Sequence, residues 1–447
     1  MSGTDPSASS SELTARAPAN KLAAAVILGL FMLAAIVSAA RRDISQGFDE
    51  MAHVSYVAHI QHTGNAWPDL TAMRLIDPQT FQFTGKANYL NHPPQFYALL
   101  ALLGPTLEGH PQALLAHRLI DVAIAAIGFA ALLWLGVAAR FSREEFYAYA
   151  VPLACIPVLA PLAGSVNNDN LAFFGGAVAT LGAWQFIANP LPTLRRERGR
   201  VGRGIWFALA LIGLVAAGWA KLTGLLLTGT MMSGVIAYLL WRRRLSVAWM
   251  IAALLVFALA AAPYLEFFLS YGSPTPETPA QIALISDGAR AAGWADLPRK
   301  SFPGYLGYFI AAFVTDWMPA LGQRGAFNYA MLAIPVAALV CATAGLALSL
   351  RRVWRRHETA LDVVVIAGAI AFVATFAIHV AYSYGRHLAT GWLMDAYPRY
   401  YLPIAALVPL AGLSLLAAIA SPRWRAGLLA FLIAGPVLFR IFGAPLG

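Results

Sequence analysis

The sequence is poor in charged residues and nearly free of cysteine. Asp, Glu, Lys and Arg make up 12% of its 447 residues, against about 25% in a soluble domain. Hydrophobic residues make up 59%, and the mean hydropathy is +0.65. This composition excludes an ordinary soluble protein and predicts a chain that crosses a membrane many times. Cys155 and Cys341 both fall in apolar runs, so we expect small core residues and no disulfide.

Acidic residues are scarcer than basic ones, 21 against 31, which leaves a formal net charge of +10. Such a charge can indicate nucleic-acid binding. Here, however, the arginines cluster in short connections between apolar runs, where the positive-inside rule places them in the cytoplasm. We therefore expect membrane lipids and no nucleic acid as partners. Arg41-Arg42 is the one local violation of this pattern.

Long apolar runs dominate the chain. A helix needs roughly 17 to 25 apolar residues to cross a bilayer, and about eleven runs meet this requirement. They cover residues 22–40, 113–138, 145–162, 170–188, 205–221, 223–240, 246–267, 327–349, 361–383, 400–420 and 426–442. The predicted fold class is an all-α polytopic membrane protein with juxtamembrane helices in its outer loops. Residues 51–64 and 302–318 are the candidates for helices along the membrane surface.

The chain divides into a short tail and one large domain. Residues 1–21 are rich in Ser, Ala and Pro, and we expect a disordered cytoplasmic tail. Residues 22–447 are expected to form a single transmembrane domain without a soluble domain. If the basic connections are cytoplasmic, the long loops at about 42–112 and 268–326 face outward. We find no internal repeat of the kind many transporters carry.

An acidic pair follows the first apolar run. His53 follows Asp49 by four residues and Glu50 by three, so on a helix all three side chains would lie on one face. A carboxylate in this position could act as a general base, or could bind a divalent metal with the imidazole. The metal is the less favoured of these two roles. An N-terminal helix cap is the alternative, because acidic residues favour the positive end of the helix dipole.

Further polar residues fall on the same predicted face. They are His92 in Asn-His-Pro-Pro, Asn168 and Asp169 in Ser-Val-Asn-Asn-Asp-Asn, Lys221 at the end of an apolar run, and Arg386, Arg399 and Tyr400 around a short loop. Amides and carboxylates could hold sugar hydroxyls, or could cap the next helix. Lysine is a common partner of phosphate, although it also reaches to the interface by snorkelling. An interfacial belt accounts equally for the Arg and Tyr residues.

Taken in order, these motifs resemble the GT-C class of integral-membrane glycosyltransferases. The resemblance is to the protein O-mannosyltransferase and aminoarabinose transferase branch, and it covers about residues 22–410. The matching elements are Asp49-Glu50, His92-Pro93-Pro94, Arg118-Leu119, Lys221-Leu222-Thr223 and Arg399 with Tyr400 and Pro403. The chain has no Asp-x-Asp, so the metal-dependent GT-C pattern is not supported and no cofactor is expected.

The resemblance implies an inverting glycosyltransferase that uses a sugar linked to polyprenyl phosphate. The acceptor would be a glycan, a lipid or a protein. Asp49 and Glu50 would be the catalytic residues, with Asp49 as the base. Lys221 and Arg399 would serve the phosphate. The sugar or acceptor would be held by other residues of the same face, namely His53, His92, Asn168, Asp169, Arg386 and Tyr400. The implied location is a bacterial inner (plasma) membrane, with a cytoplasmic N-terminus and a periplasmic or extracellular active face.

Three other functions stay open at this point. A glycan polymerase or ligase would use the same residue types. A lipid or solute transporter would need ionisable residues along a path through the membrane, for which Asp121, Glu266 and Asp362 are the candidates. A non-catalytic membrane protein would have lost the acidic site.

Overall fold

The computed structural model describes residues 7–45, 47–188, 197–315 and 329–443. Within these ranges the chain forms sixteen α-helices and one two-stranded sheet. The helices are α1 Ser7–Arg41, α2 Glu50–Thr63, α3 Gln95–Leu103, α4 Leu114–Ala138, α5 Arg143–Ala154, α6 Leu159–Ala163, α7 Asp169–Ala188, α8 Glu197–Ala220, α9 Leu222–Trp241, α10 Val247–Tyr271, α11 Pro279–Ala291, α12 Phe302–Thr315, α13 Ala333–Trp354, α14 Ala360–Thr390, α15 Leu407–Leu416 and α16 Pro422–Phe442. The strands β1 Arg74–Ile76 and β2 Phe83–Ala87 pair antiparallel.

Nine helices of the described chain are long and apolar enough to cross a membrane. They correspond to nine of the predicted runs, and the all-α polytopic fold class is confirmed. A tenth run forms a pair bent by 60°, the short 3-10 segment Pro398–Ile404 followed by α15. Residues 1–6 of the predicted tail lie outside the described residues, and α1 begins at Ser7. The predicted loop at 268–326 is likewise described only as far as residue 315.

The run at 145–162 differs from the expected single span. It forms two shorter helices, α5 and α6, with a break at residues 155–158. Pro157 explains the break, because proline has no amide hydrogen and disfavours helical geometry in the residue before it. A capping box formed by Ser142 and Glu145 begins α5. The run is therefore helical but broken, and it is not among the unbroken helices long enough to cross a membrane.

The 42–112 segment forms a layer with its own hydrophobic core. The helix predicted over 51–64 is present as α2, and the one predicted over 302–318 as α12, with residues 316–318 outside the described residues. The apolar side of α2 does not face lipid, contrary to the sequence-based expectation. Val54, Val57 and Ala58 are fully buried in a cluster with α3 and the β-hairpin. The apolar spacing identified the helix, but protein rather than bilayer covers it.

Small residues bring the elements around the site close together. An added Cβ at Gly175 of α7 would collide with the backbone of α8 at Ala217, and one at Gly176 would collide with Pro403. Such close backbone approach is typical of helix packing in membranes. Because α7 and α8 run antiparallel, the first residue of α7, Asp169, lies beside Lys221, which follows the last residue of α8.

Candidate active site

A left-handed turn presents the acidic pair. Gly47, Phe48 and Asp49 have φ values of 85°, 60° and 57°, and α2 begins immediately after them. Non-glycine residues rarely adopt this conformation, and it costs roughly 1–2 kcal/mol per residue. The surrounding structure holds the turn in place, since Asn167 donates from Nδ2 to the carbonyl oxygen of Phe48 at 2.7 Å.

The two carboxylates of the pair have opposite surroundings. Glu50 is buried, and its oxygens accept from Nε and Nη2 of Arg118 at 2.7 and 2.6 Å. Its Oε1 also accepts from the backbone amide of Val166 at 2.9 Å. Arg118 in turn donates to the carbonyl oxygens of Ala39 and Arg42. Glu50 therefore ties the start of α2 to α1, α4 and the turn before α7, and it lies outside the cavity wall.

Asp49 is open to solvent, with 48% of its side chain exposed. Its Oδ1 accepts from the Tyr89 hydroxyl at 3.1 Å, and its Oδ2 lies 3.3 Å from Nη2 of Arg399. Burial of the ring, and then the charge of Asp49, raise the pKa of Tyr89. The phenol therefore stays protonated and donates to Asp49.

Two cations join Asp49 to Asp169. Nε of Arg399 lies 3.4 Å from Oδ2 of Asp169, and Nζ of Lys221 lies 2.5 Å from Oδ1 of the same carboxylate. The Tyr400 ring lies beneath both cations, with its centroid 3.6 Å from the Lys221 amine. These five residues form a compact cluster, which we call the charge cluster: Asp49, Arg399, Asp169, Lys221 and Tyr400. Its two carboxylates balance its two cations.

The Ser-Val-Asn-Asn-Asp-Asn turn supports the charge cluster from behind. Asn167 Oδ1 accepts from the Asp169 amide at 2.8 Å, an Asx turn that begins α7. The adjacent Asn168 donates to the carbonyl oxygen of Ala220 at 2.8 Å. That carbonyl is the last of α8, which the extended backbone of Lys221 separates from α9. Asn168, a predicted substrate contact, thus holds the backbone beside Lys221 and does not line the cavity.

The two predicted histidines differ in their access to the cavity. His53 is buried, and its Nδ1 lies 2.9 Å from the Tyr97 hydroxyl. Its Nε2 accepts from Nδ2 of Asn167 at 3.1 Å, so the proton is on Nδ1. His92 stacks on His53 and lines the cavity. Burial, followed by the nearby positive charges, lowers the pKa of both rings well below 6.5, so both are neutral.

A cavity of about 290 Å³ opens in front of the charge cluster. Five of the residues predicted from sequence line it: Asp49, His92, Lys221, Arg386 and Tyr400. The other five, Glu50, His53, Asn168, Asp169 and Arg399, are not part of the wall. Leu226, Ile285 and Ile378 contribute apolar surface to the cavity wall. The cavity therefore offers charged and apolar surfaces to the same ligand.

Arg386 lines the cavity from α14. It pairs with Asp395 at 3.2 Å and with Glu277 at 3.0 Å, and its Nη2 donates to the Tyr382 hydroxyl at 2.6 Å. Its Nε is buried without a hydrogen-bond partner among the described residues. This side chain joins the segment before α11 to the C-terminal end of α14.

Among the described residues, no three His, Cys, Asp or Glu side chains lie close enough together to hold a metal ion. Both ring nitrogens of His53 are engaged in hydrogen bonds, one with Tyr97 and one with Asn167.

Sequence reasoning missed several residues of the site. Tyr89 lies two residues before the Asn-His-Pro-Pro segment, and Asn167 lies in a turn whose next two residues were named. Trp392, Asp395 and Tyr397 also line the cavity. Proximity to a named motif was the one signal available for these residues, because a pattern of residue types does not show which side of a turn meets a cavity.

No protein-family model matches the chain, and no curated protein matches it by sequence. The structure resembles that of the archaeal oligosaccharyltransferase AglB from Archaeoglobus fulgidus, solved with an inhibitory peptide and a dolichol-phosphate. The TM-score is 0.52 at 15% identity, over 95% of this chain and 56% of that one. It also resembles the aminoarabinose transferase ArnT from Cupriavidus metallidurans bound to undecaprenyl phosphate, with a TM-score of 0.49 at 16% identity, over 90% of this chain and 61% of that one.

Both of these proteins are GT-C glycosyltransferases. The likeness to AglB shows a shared fold, and the GT-C-like architecture expected from the motifs is confirmed. The present chain spans 56% to 61% of the length of the two proteins.

Proposed function

We propose that the protein transfers a sugar from a polyprenyl-phosphate-linked donor to an acceptor at the outer face of the membrane. The observation that carries the proposal is the charge cluster at the wall of the 290 Å³ cavity. It joins a solvent-exposed carboxylate, Asp49, to two enclosed cations, Arg399 and Lys221. A solvent-exposed base beside enclosed cations suits a reaction between a water-borne acceptor and a phosphate leaving group.

The reaction is a single displacement at the anomeric carbon. A hydroxyl or amine of the acceptor forms a bond to this carbon while the bond from the carbon to the phosphate oxygen breaks. The acceptor's proton passes to Asp49, and the bonding electron pair leaves with polyprenyl phosphate. Attack from the face opposite the leaving group inverts the anomeric configuration. Asp49 is suited to the base role because its oxygens are reachable from solvent and held by Tyr89.

The charge cluster also suits the leaving group. Protonation of Asp49 removes a negative charge beside Arg399 as the departing phosphate gains one, so the net charge of the site stays constant. Lys221 is 5% exposed, and in such an enclosed position its attraction for phosphate is screened less than in water. Asp169 holds both cations in place before the donor binds. The apolar wall of the cavity suits the first isoprene units of the donor.

The three proposed alternatives differ from this function in what they require. A transporter needs ionisable groups along one path, but Asp121 is buried behind the site, Asp362 is paired with Arg352, and Glu266 is exposed. A non-catalytic protein would not need an exposed carboxylate joined to enclosed cations. A glycan polymerase or ligase shares the chemistry of this site and differs in the acceptor.

The test is sugar transfer by the purified full-length protein in liposomes, with a panel of polyprenyl-phosphate sugars as donors. Glycans, lipids and proteins from a strain that lacks the protein serve as acceptors, with the missing sugar found by mass spectrometry. Asp43→Asn is the matched control, since Asp43 is an exposed carboxylate six residues before Asp49 and is absent from the cavity wall. Equal transfer by the wild type and Asp49→Asn would refute the assignment of Asp49. No transfer from any donor, with an unchanged glycome in the deletion strain, would refute the proposed function.

A further inference from the structure

Arginines from two distant parts of the chain surround a second polar cavity, at the opposite ends of the helices that build the site. α9 begins beside Lys221 and ends at Trp241, while α14 begins at Ala360 and ends near Arg386. The ends away from the site lie close to a cavity of about 250 Å³. Its lining, which we call the arginine pocket, consists of Trp241, Arg242, Arg243, Arg244 and Arg356.

The backbone at both sides of the arginine pocket is unusual. Arg243 and Arg356 have φ values of 52° and 60°, in the left-handed region. Each is the residue after a helix C-cap, a position where glycine is usual because it has no Cβ to clash. Arg140 after α4 has the same conformation, with φ of 56°, but only Arg243 and Arg356 line this cavity.

The charges of the arginine pocket are largely unbalanced. Glu358 lies 2.5 Å from Nη2 of Arg242 and also accepts from the Tyr238 hydroxyl. In the part of the chain that the structure describes, Arg243, Arg244 and Arg356 have no ion pair. Membrane topology requires only that a connection be basic. It does not require two connections more than a hundred residues apart to meet around one cavity.

We propose that the arginine pocket binds the phosphate of an anionic phospholipid headgroup from the surrounding bilayer. Guanidinium groups bind phosphate oxygens through paired hydrogen bonds. Basic pockets between membrane helices are suited to such headgroups. Trp241 is 55% exposed beside the arginines, and an interfacial tryptophan lies at headgroup depth. A bound lipid here would join the end of α9 to the connection that precedes α14, and both of these helices also contribute to the wall of the first cavity.

The experiment measures association of spin-labelled phosphatidylglycerol with the full-length protein in phosphatidylcholine nanodiscs. The test variant is Arg243→Gln with Arg356→Gln. The matched control is Arg351→Gln with Arg355→Gln. It also removes two positive charges, but from residues near the end of α13 that do not line the cavity. Loss of two charges at the pocket should weaken association roughly 10- to 30-fold. The control should bind as the wild type does.

Additional variants and a competition experiment complete the test. Arg243→Lys with Arg356→Lys retains the charge but not the paired hydrogen bonds, so its association should fall between that of the wild type and that of the glutamine variant. Size-exclusion profiles verify that each variant is folded. If the paired glutamine variant does not fold, Arg356→Gln alone should still weaken association severalfold. Equal association in wild type, test and control proteins would overturn the proposal and leave the arginines a topological role. Full competition by millimolar inorganic phosphate would overturn the lipid as the source of the bound group.

Discussion

Replacement of Asp49 by Asn should lower the rate of sugar transfer, whereas replacement of the adjacent Glu50 by Gln should lower the stability of the fold. In Asp49→Asn the side chain keeps its size and can still accept from Tyr89, but it cannot take a proton from the acceptor. We expect a fall in transfer rate on the order of 10²–10⁴-fold, the usual effect of removing a general base. Asp49 is 48% exposed and lies 3.3 Å from Arg399, and an ion pair this open contributes about 1 kcal/mol or less to folding.

Glu50→Gln should instead destabilise the fold. The Glu50 side chain is fully buried and that of Arg118 is 4% exposed, so the change leaves a buried guanidinium without its counter-charge. Removal of one partner from a buried pair costs about 3–5 kcal/mol. One hydrogen bond, from Val166, can be retained by the new amide oxygen. The surviving folded protein should keep much of its specific activity, because Glu50 does not reach the cavity.

The assays are thermal unfolding in detergent, followed by intrinsic fluorescence, and sugar transfer normalised to the folded fraction. The expected result is a large activity loss with a nearly unchanged Tm for Asp49→Asn, and a Tm lower by several degrees for Glu50→Gln. If Glu50→Gln melts as the wild type does and loses all transfer, the assignment of Glu50 as an anchor is wrong. If Asp49→Asn melts far below the wild type, the exposed ion pair has been undervalued.

Three further predictions concern the residues around this pair. Lys221→Met should raise the donor KM about 10- to 100-fold by removing a charged phosphate contact, whereas Lys86→Met, on an exposed strand, should leave transfer kinetics unchanged. Asn167→Ala should lower kcat and leave the donor KM nearly unchanged, because it removes the hydrogen bond that holds the left-handed turn at Phe48. A decrease in Tm with a normal kcat would contradict this positioning role. His53 has a folded pKa well below 6.5, so the unfolded chain binds its proton first. Stability should therefore be full above pH 6.5 and fall below it by up to about 1.4 kcal/mol per pH unit, and unfolding at pH 7.5 and 5.5 should show a smaller difference in His53→Gln.

Much of the fold was predictable because lipid imposes strict rules on a chain. A run of apolar residues such as 361–383 has few stable alternatives to a helix in a bilayer, and among the described residues nine predicted runs form helices of sufficient length. The exceptions lie at prolines. Pro157 separates α5 from α6, and Pro398 and Pro403 lie in the bent segment that carries Arg399 and Tyr400. Averaged hydropathy does not register the loss of a single amide hydrogen.

The sequence named residues that the structure brings together, but it did not show which of them reach the cavity. Asp49 and Lys221 were singled out, and both line the cavity. Glu50 and His53 carry equally reactive groups, but each is fully engaged by buried partners. Asn168 was favoured over Asn167, yet Asn167 is the residue that holds the turn beneath Asp49. Neighbours in sequence point to opposite sides of a turn, so one meets the cavity and the other meets the core.

The sequence by itself determined that the chain crosses a membrane many times and that its polar residues gather at a few connections, because burial of apolar surface depends on local composition. Only the tertiary structure decided which of those polar residues meet. The close approach of α7 and α8 at Gly175 sets Asp169 beside Lys221, and the approach of Pro403 to Gly176 sets Arg399 between Asp169 and Asp49. Electrostatic interaction depends on distance and on enclosure from water, and both are properties of packing rather than of order along the chain.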